Sequence, residues 1–236
     1  MPRVRAEISE AAGGQHTPGG QYRNHYVELG LALGARDLDA ATSHGQAATA
    51  LAVAQGWFAL QVPVHLALGA AHAGEGQTGK ATEHYLSAEA AATAGERAGD
   101  EACKKLRVQV RLARGSLLLS AGAHAAAADL FISTIPLASA VSEPRLVIDA
   151  YRLASFCHES DGKHAEAWRV GIAGLRAAAE MDGDTLQTST LSYLGEGLLR
   201  LAAQRELPAA SRDAVKKQLS ELLGPDAGRA NPNEQR

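Results

Sequence analysis

The stretch Leu68-Gly69-Ala70-Ala71-His72-Ala73-Gly74-Glu75-Gly76-Gln77-Thr78-Gly79-Lys80-Ala81-Thr82-Glu83-His84-Tyr85-Leu86-Ser87-Ala88 decides the fold. Seven residues after Gly69 comes Gly76, five later Ala81, four later Tyr85 and three later Ala88. The spacing has a physical reading. A small residue lets two antiparallel helices approach, a glycine turns the chain between them, and a large ring on the second helix fills the gap left by the first. The offsets from Ala81 onward keep one helical face.

The pattern recurs along the chain. Gly115 is followed at the same offsets by Gly122, Ala127, Phe131 and Thr134. Ser155 is followed by Gly162 and Ala167, but then by Gly171 and Gly174 where bulk is expected. Taking Leu29-Gly30 and Leu194-Gly195 as further anchors gives positions 30, 69, 115, 155 and 195, with one longer step between Gly69 and Gly115. Such a period marks a quasi-one-dimensional array of supersecondary units. In the first unit the second-helix positions, Ala41 and Ala48, fit only with a one-residue shift.

The repeated pair of helices resembles the tetratricopeptide repeat (TPR) family, in its longer variety with a period near forty residues. The match is fullest over Leu68-Gly69, His72, Gly76, Ala81, Tyr85 and Ala88, good over Gly115, Leu118, Gly122, Ala127 and Phe131, and degenerate in the second helices of the other units. HEAT and armadillo repeats have similar periods, but the Leu-Gly pair and the Ala-x3-Tyr/Phe spacing favour TPR. The resemblance implies an all-α helix–turn–helix solenoid of about five repeats and ten helices over residues 23–223. First helices are expected near 23–35, 57–74, 99–120, 143–160 and 184–203, and second helices near 38–55, 78–95, 124–136, 163–181 and 209–222. Pro63 predicts either a kink or a helix start near Gln61. Residues 1–22, with Gly13-Gly14 and Thr17-Pro18-Gly19-Gly20, read as a flexible arm, and 224–236 as a disordered tail.

Composition agrees with helices. The chain has 236 residues, aromatic residues make up only 4% and charged ones 21%, which disfavours an aromatic, β-branched sheet protein. The net charge of −3 and the lack of a basic stripe speak against a nucleic-acid partner. No apolar run approaches the roughly 20 residues needed to span a bilayer, so no membrane insertion is expected. No apolar segment follows Arg3 and Arg5, and two cysteines, Cys103 and Cys157, cannot build a disulfide framework. A cytoplasmic, bacterial protein is the expectation.

Two motifs invite a chemical reading. Gly74-Glu75-Gly76-Gln77-Thr78-Gly79-Lys80 spells the GxxxxGK of a nucleotide-binding P-loop, with Leu146-Val147-Ile148-Asp149 as a possible Walker B strand. A P-loop then needs Ser or Thr and a preceding strand; here Ala81 follows and a helical run precedes. His158-Glu159 and His164 form HE-x4-H, whose spacing cannot place two imidazoles on one helical turn. No cofactor, metal or catalytic residue is expected, and the chain reads as a non-enzyme.

In TPR arrays the first helices line a concave groove. Carried over by offset, the resemblance implies that a protein partner, as peptide or amphipathic helix, meets Leu66, Leu112, Ser116, Arg152, Phe156, Glu159 and Glu196. In the first unit the same offsets select Asn24, Val27 and Leu31. The Lys/Asn/Arg clamp by which some TPR proteins hold a C-terminal carboxylate is missing from these positions. The expected function is an adaptor, scaffold or chaperone. The alternatives are a secretion-system chaperone or assembly factor, a peptide-sensing regulator and, remotely, a nucleotide binder. A homodimer could form where Gly171 and Gly174 leave room on a helix.

Overall fold

The computed structural model describes residues 17–180 except 142, and beyond them scattered helical positions, among them Gly195, Gly197, Leu198, Ala210 and Lys217. Among the described residues there are eight continuous helices and no strand. They are α1 (Pro18–Gly34), α2 (Leu38–Ala54), α3 (Phe58–Gly74), α4 (Thr78–Arg97), α5 (Ala102–Ser120), α6 (His124–Ala140), α7 (Pro144–Ser160) and α8 (His164–Ala179). The ten helices expected are therefore not matched. The ninth and tenth fall mostly outside the described residues, as do the tail and residues 1–16 of the expected arm.

The arm ends earlier than its glycines suggest. Thr17 caps α1, its Oγ1 accepting from the Gly20 amide at 3.1 Å, and Pro18 takes the first helical position, where a missing N–H costs little. Thr17-Pro18 is thus a helix start, and Tyr22 belongs to the core. Asp37 caps α2 in the same way, its carboxylate accepting from Ala40 N–H at 3.0 Å. Pro144 opens α7, one residue past the start expected near 143. Pro63 does not start α3; the helix begins at Phe58 and runs through it. Likewise α6 continues past Pro136 to Ala140.

Six helices end on one backbone motif. After α2, α3, α4, α5 and α7 a glycine takes positive φ: Gly56, Gly76, Gly99, Gly122 and Gly162, with φ between 68° and 87°. The residue after each donates to a carbonyl five positions back at 2.8 or 2.9 Å, as in Trp57 to Ala52 and Gln77 to His72. The glycine itself donates three back at 3.0 or 3.1 Å. This Schellman pattern satisfies carbonyls that the helix end would orphan. After α1 the same bonds form around Arg36, at φ 57°.

The chain divides into two compact units, Met1–Leu117 and Leu118–Arg236. In the first, α1 packs on α2, α2 on α3 and α3 on α4. Buried Leu29, Ala41, Ala48, Ala52, Val64 and Leu68 form one core cluster, and Val62, Ala88, Ala92 and Val110 form the next. Alanine at the contacts lets the helices approach closely. A Cβ on Gly69 would lie 2.5 Å from Tyr85 Cε1, and one on Gly45 would lie 2.7 Å from Leu68 Cδ1. The pairing of small residue and ring read from the sequence is present in the second hairpin.

The long step between the second and third anchors is absorbed mainly by longer helices. The helix α4 has 20 residues and α5 has 19, where α1, α2 and α3 each have 17. Gly95 accommodates Cys103 and Phe58 against the added turn. Arg107 donates to Glu96 at 2.8 Å, and Glu89 accepts from both Arg111, at 3.0 Å, and Arg114. These bonds tie α4 to α5.

In the second unit α6 packs on α7 and α7 on α8. Ser155, in the place of Gly69, donates its hydroxyl to the Ala167 carbonyl on α8 at 2.8 Å. The space left by Gly171 is filled from within the chain, since a Cβ there would strike the Leu198 side chain. Gly171 therefore offers no socket for a second copy.

Candidate functional site

Six of the seven positions selected by offset sit on the first helices α3, α5 and α7. Leu66 on α3 is half-buried and packs against the clusters built on Val62, Ala88 and Val110 and on Tyr85 and Leu117. Its side chain serves the packing between hairpins. Leu112 on α5 is half-buried, and Ser116, one turn on, is exposed with its hydroxyl donating to the Leu112 carbonyl at 3.0 Å. Glu196 lies outside the described residues.

The strongest grouping is on α7. Asp149, Arg152, Phe156 and Glu159 follow at helical spacing, so they share a face. Phe156 is 49% exposed, the largest ring among the exposed apolar side chains described in this unit. Arg152 Nη2 lies 3.6 Å from Asp149 Oδ1, and Arg145 Nε reaches the other oxygen at 3.9 Å. Glu159 is half-buried beyond Phe156. The face thus offers an apolar ring between a charged pair and a carboxylate. It can receive an apolar side chain and orient the polar groups beside it.

The first hairpin corrects the register. The helices α1 and α3 are offset by the same interval at their starts and at their ends, and at that interval Arg36 stands where Gly76 stands. The counterpart of Gly69 is therefore Leu29, not Gly30. Leu29 is 1% exposed, while Gly30 is exposed and a Cβ on it would meet nothing. In this hairpin leucine stands on the first helix and Gly45 in the place of Tyr85, with the space at Gly45 filled by Leu68 of α3. The counterpart of Leu66 becomes Tyr26 in place of Val27. Tyr26 is 40% exposed and stacks on Tyr22 with ring centroids 5.9 Å apart. Burial, with Tyr26 alongside, pushes the Tyr22 phenol up to about 12, and its hydroxyl donates to the Leu60 carbonyl at 2.7 Å. The signal for Tyr26 is in the sequence: His25 and His44 precede His65 and His84 by that same interval.

The P-loop resemblance does not survive the fold. Gly74 ends α3, Gly76 makes the turn and Thr78 opens α4, with Lys80 exposed in its first turn. A helix precedes the motif where a strand is required. The run Leu146–Asp149 lies within α7. His158 and His164 stand at the end of α7 and the start of α8, and no group of three metal-ligating side chains capable of holding an ion occurs among the described residues. Cys103 and Cys157 are buried free thiols, each pushed up to about 11 chiefly by burial, which leaves them unreactive.

No family model and no curated protein matches the chain. Solved structures do. The apo form of RapI superposes with a TM-score of 0.72 at 12% identity, over 94% of this chain and 59% of RapI. BtubC (BKLC) from P. vanneervenii superposes with a TM-score of 0.69 at 15% identity, over 99% of this chain and 93% of BtubC. The fold is a TPR-like helical repeat. At these identities the likeness concerns architecture alone, and this chain spans under two thirds of RapI's length. Among the described residues no helix is long and apolar enough to cross a membrane.

Proposed function

We propose that the chain is a non-enzymatic interaction module, an adaptor, scaffold or chaperone, that holds a peptide or amphipathic helix of a protein partner on the faces of its first helices. The observation that carries this reading is the α7 face, where exposed Phe156 stands between the Asp149–Arg152 pair and Glu159. Folding leaves about half of a large ring in water, and a partner's apolar side chain would remove it. The rim charges then select orientation and partner more than they add affinity. In the first unit Ser116 on α5, at the place of Phe156, and Tyr26 on α1, at the place of Arg152, are exposed. The helical repeat architecture supports the reading, because stacked helix pairs present such faces in series.

The test is capture of partners from the native organism by the purified chain, set beside the Arg152→Glu/Phe156→Ala variant. A partner lost with the variant, at unchanged helicity, supports the reading. A partner retained by it moves the site elsewhere. The expected loss on replacing Phe156 alone is about 1–2 kcal/mol of binding, measured by calorimetry.

A further inference from the structure

Three histidines meet between α3 and α4. His65 Nδ1 lies 3.2 Å from His84 Nδ1, and the two ring centroids are 5.5 Å apart. A nitrogen separation that short with centroids that far apart means that the rings point at each other nearly head-on. His72, buried two turns along α3 from His65, stacks on His84 with an interplanar angle of 9° and centroids 5.2 Å apart. His72 Nδ1 is in turn 3.0 Å from Gln77 Oε1 and donates to it. The first hairpin repeats the central contact, with His25 Nδ1 3.3 Å from His44 Nδ1 and centroids 5.6 Å apart.

The chemistry of facing Nδ1 atoms is restrictive. Each ring nitrogen is a donor when protonated and an acceptor when not. Two facing Nδ1 atoms hold one proton between them, one ring donating and the other accepting. A first added proton can go to the outer Nε2 of the donor ring and leave the bond intact. A second must go to the accepting Nδ1, and then two N–H groups of two cations face each other. The groups acting on His84 make this worse: His65 and His72 come from α3, Lys80 comes from its own helix, and none supplies negative charge.

We propose that His65 and His84, with His72 stacked beside them, form a proton-sharing latch that holds α3 against α4 at neutral pH and releases it on acidification. Burial holds His65 below the ordinary imidazole range, and burial together with His65, His72 and Lys80 lowers His84 to about 4. Because the folded values lie below the unfolded one, the opened hairpin binds more protons. The latch's stability is full above about pH 6.5 and is lost as pH falls from there towards about 4. Over that window the His84 proton alone changes the ratio of closed to open hairpin about tenfold per pH unit. This inference does not depend on the proposed function. It does bear on it, since Leu66 and His65 are neighbours on α3.

The test uses the full chain. Long-range nitrogen–proton NMR reads the tautomer and titration of each histidine. The expected result is one Nδ1–H ring and one Nε2–H ring for the His65–His84 pair, with His84 titrating well below 6.5 and the protection factors of the α3 and α4 amides, taken against intrinsic exchange at each pH, falling over the same range. His84→Gln, which cannot titrate, should remove most of the pH dependence of that protection. Ordinary titration of His84 near 6.5 in the folded chain overturns the proposal. So does an acid response of α3 and α4 that is the same in the His84→Gln variant. If that variant fails to fold, the tautomers and titration of the unmodified chain decide alone.

Discussion

Among the described residues, Arg36 is the one non-glycine side chain at positive φ, in a turn whose five counterparts are all glycine. A Cβ in this region crowds the backbone at a cost of about 1–2 kcal/mol. Arg36→Gly relieves that crowding but frees the unfolded chain, which takes part of the gain back. The net expectation is a stabilisation of about 0.5–1 kcal/mol. A raised Tm in thermal melts followed in the far ultraviolet would show it.

A helix pair is the next scale, and here the exchange of bulk between hairpins is instructive. Gly69→Leu should destabilise by about 2–3 kcal/mol, since Tyr85 occupies the space a side chain would need. Adding Tyr85→Gly recreates the order of the first hairpin, where Leu29 and Gly45 hold these places, and should recover at least about 1 kcal/mol as a coupling term. A double-mutant cycle in urea tests it. At the α4–α5 joint, Glu89→Gln leaves Arg111 and Arg114 facing a neutral amide. Both pairs are partly exposed, so solvent screening limits the loss to about 1 kcal/mol, and the loss should shrink with added salt.

The helices themselves are legible in the sequence because helix–turn–helix punctuation is local. Gly76, Gly122 and Gly162 announce their turns, and Pro144 announces its helix start. The start of α1 is not legible. Thr17-Pro18-Gly19-Gly20 contains a cap and a first-turn proline beside two glycines, and the glycines mask the cap. The register of the first hairpin fails for a tertiary reason. Leu-Gly looks like an anchor at Leu29-Gly30, but the packed residue there is the leucine, and the space at Gly45 on the opposite helix is taken by Leu68 of α3. Leu66 shows a similar limit: offsets along a helix do not say whether a neighbouring hairpin covers the face.

For the whole molecule, the sequence settles the class of architecture and leaves the partner open. What binds depends on residues that folding leaves exposed, and packing rules do not constrain their identity. Phe156 is such a residue, and its replacement should leave melting unchanged within about 0.5 kcal/mol while weakening partner capture. Loss of stability instead would assign the ring to structure.

The uniform helix ends also bear on how such a chain can change length. Six helix ends share one set of backbone bonds, and α3 follows α1 at one constant interval in both helix start and helix end. A segment that begins and ends on the same joint can be copied or excised in frame with the geometry of its flanks preserved. A chain in which residues 38–77 are duplicated in tandem should fold, with helicity per residue retained and one more hairpin. The repeated turn is thus a seam at which this protein could have grown, and at which it can be lengthened by hand.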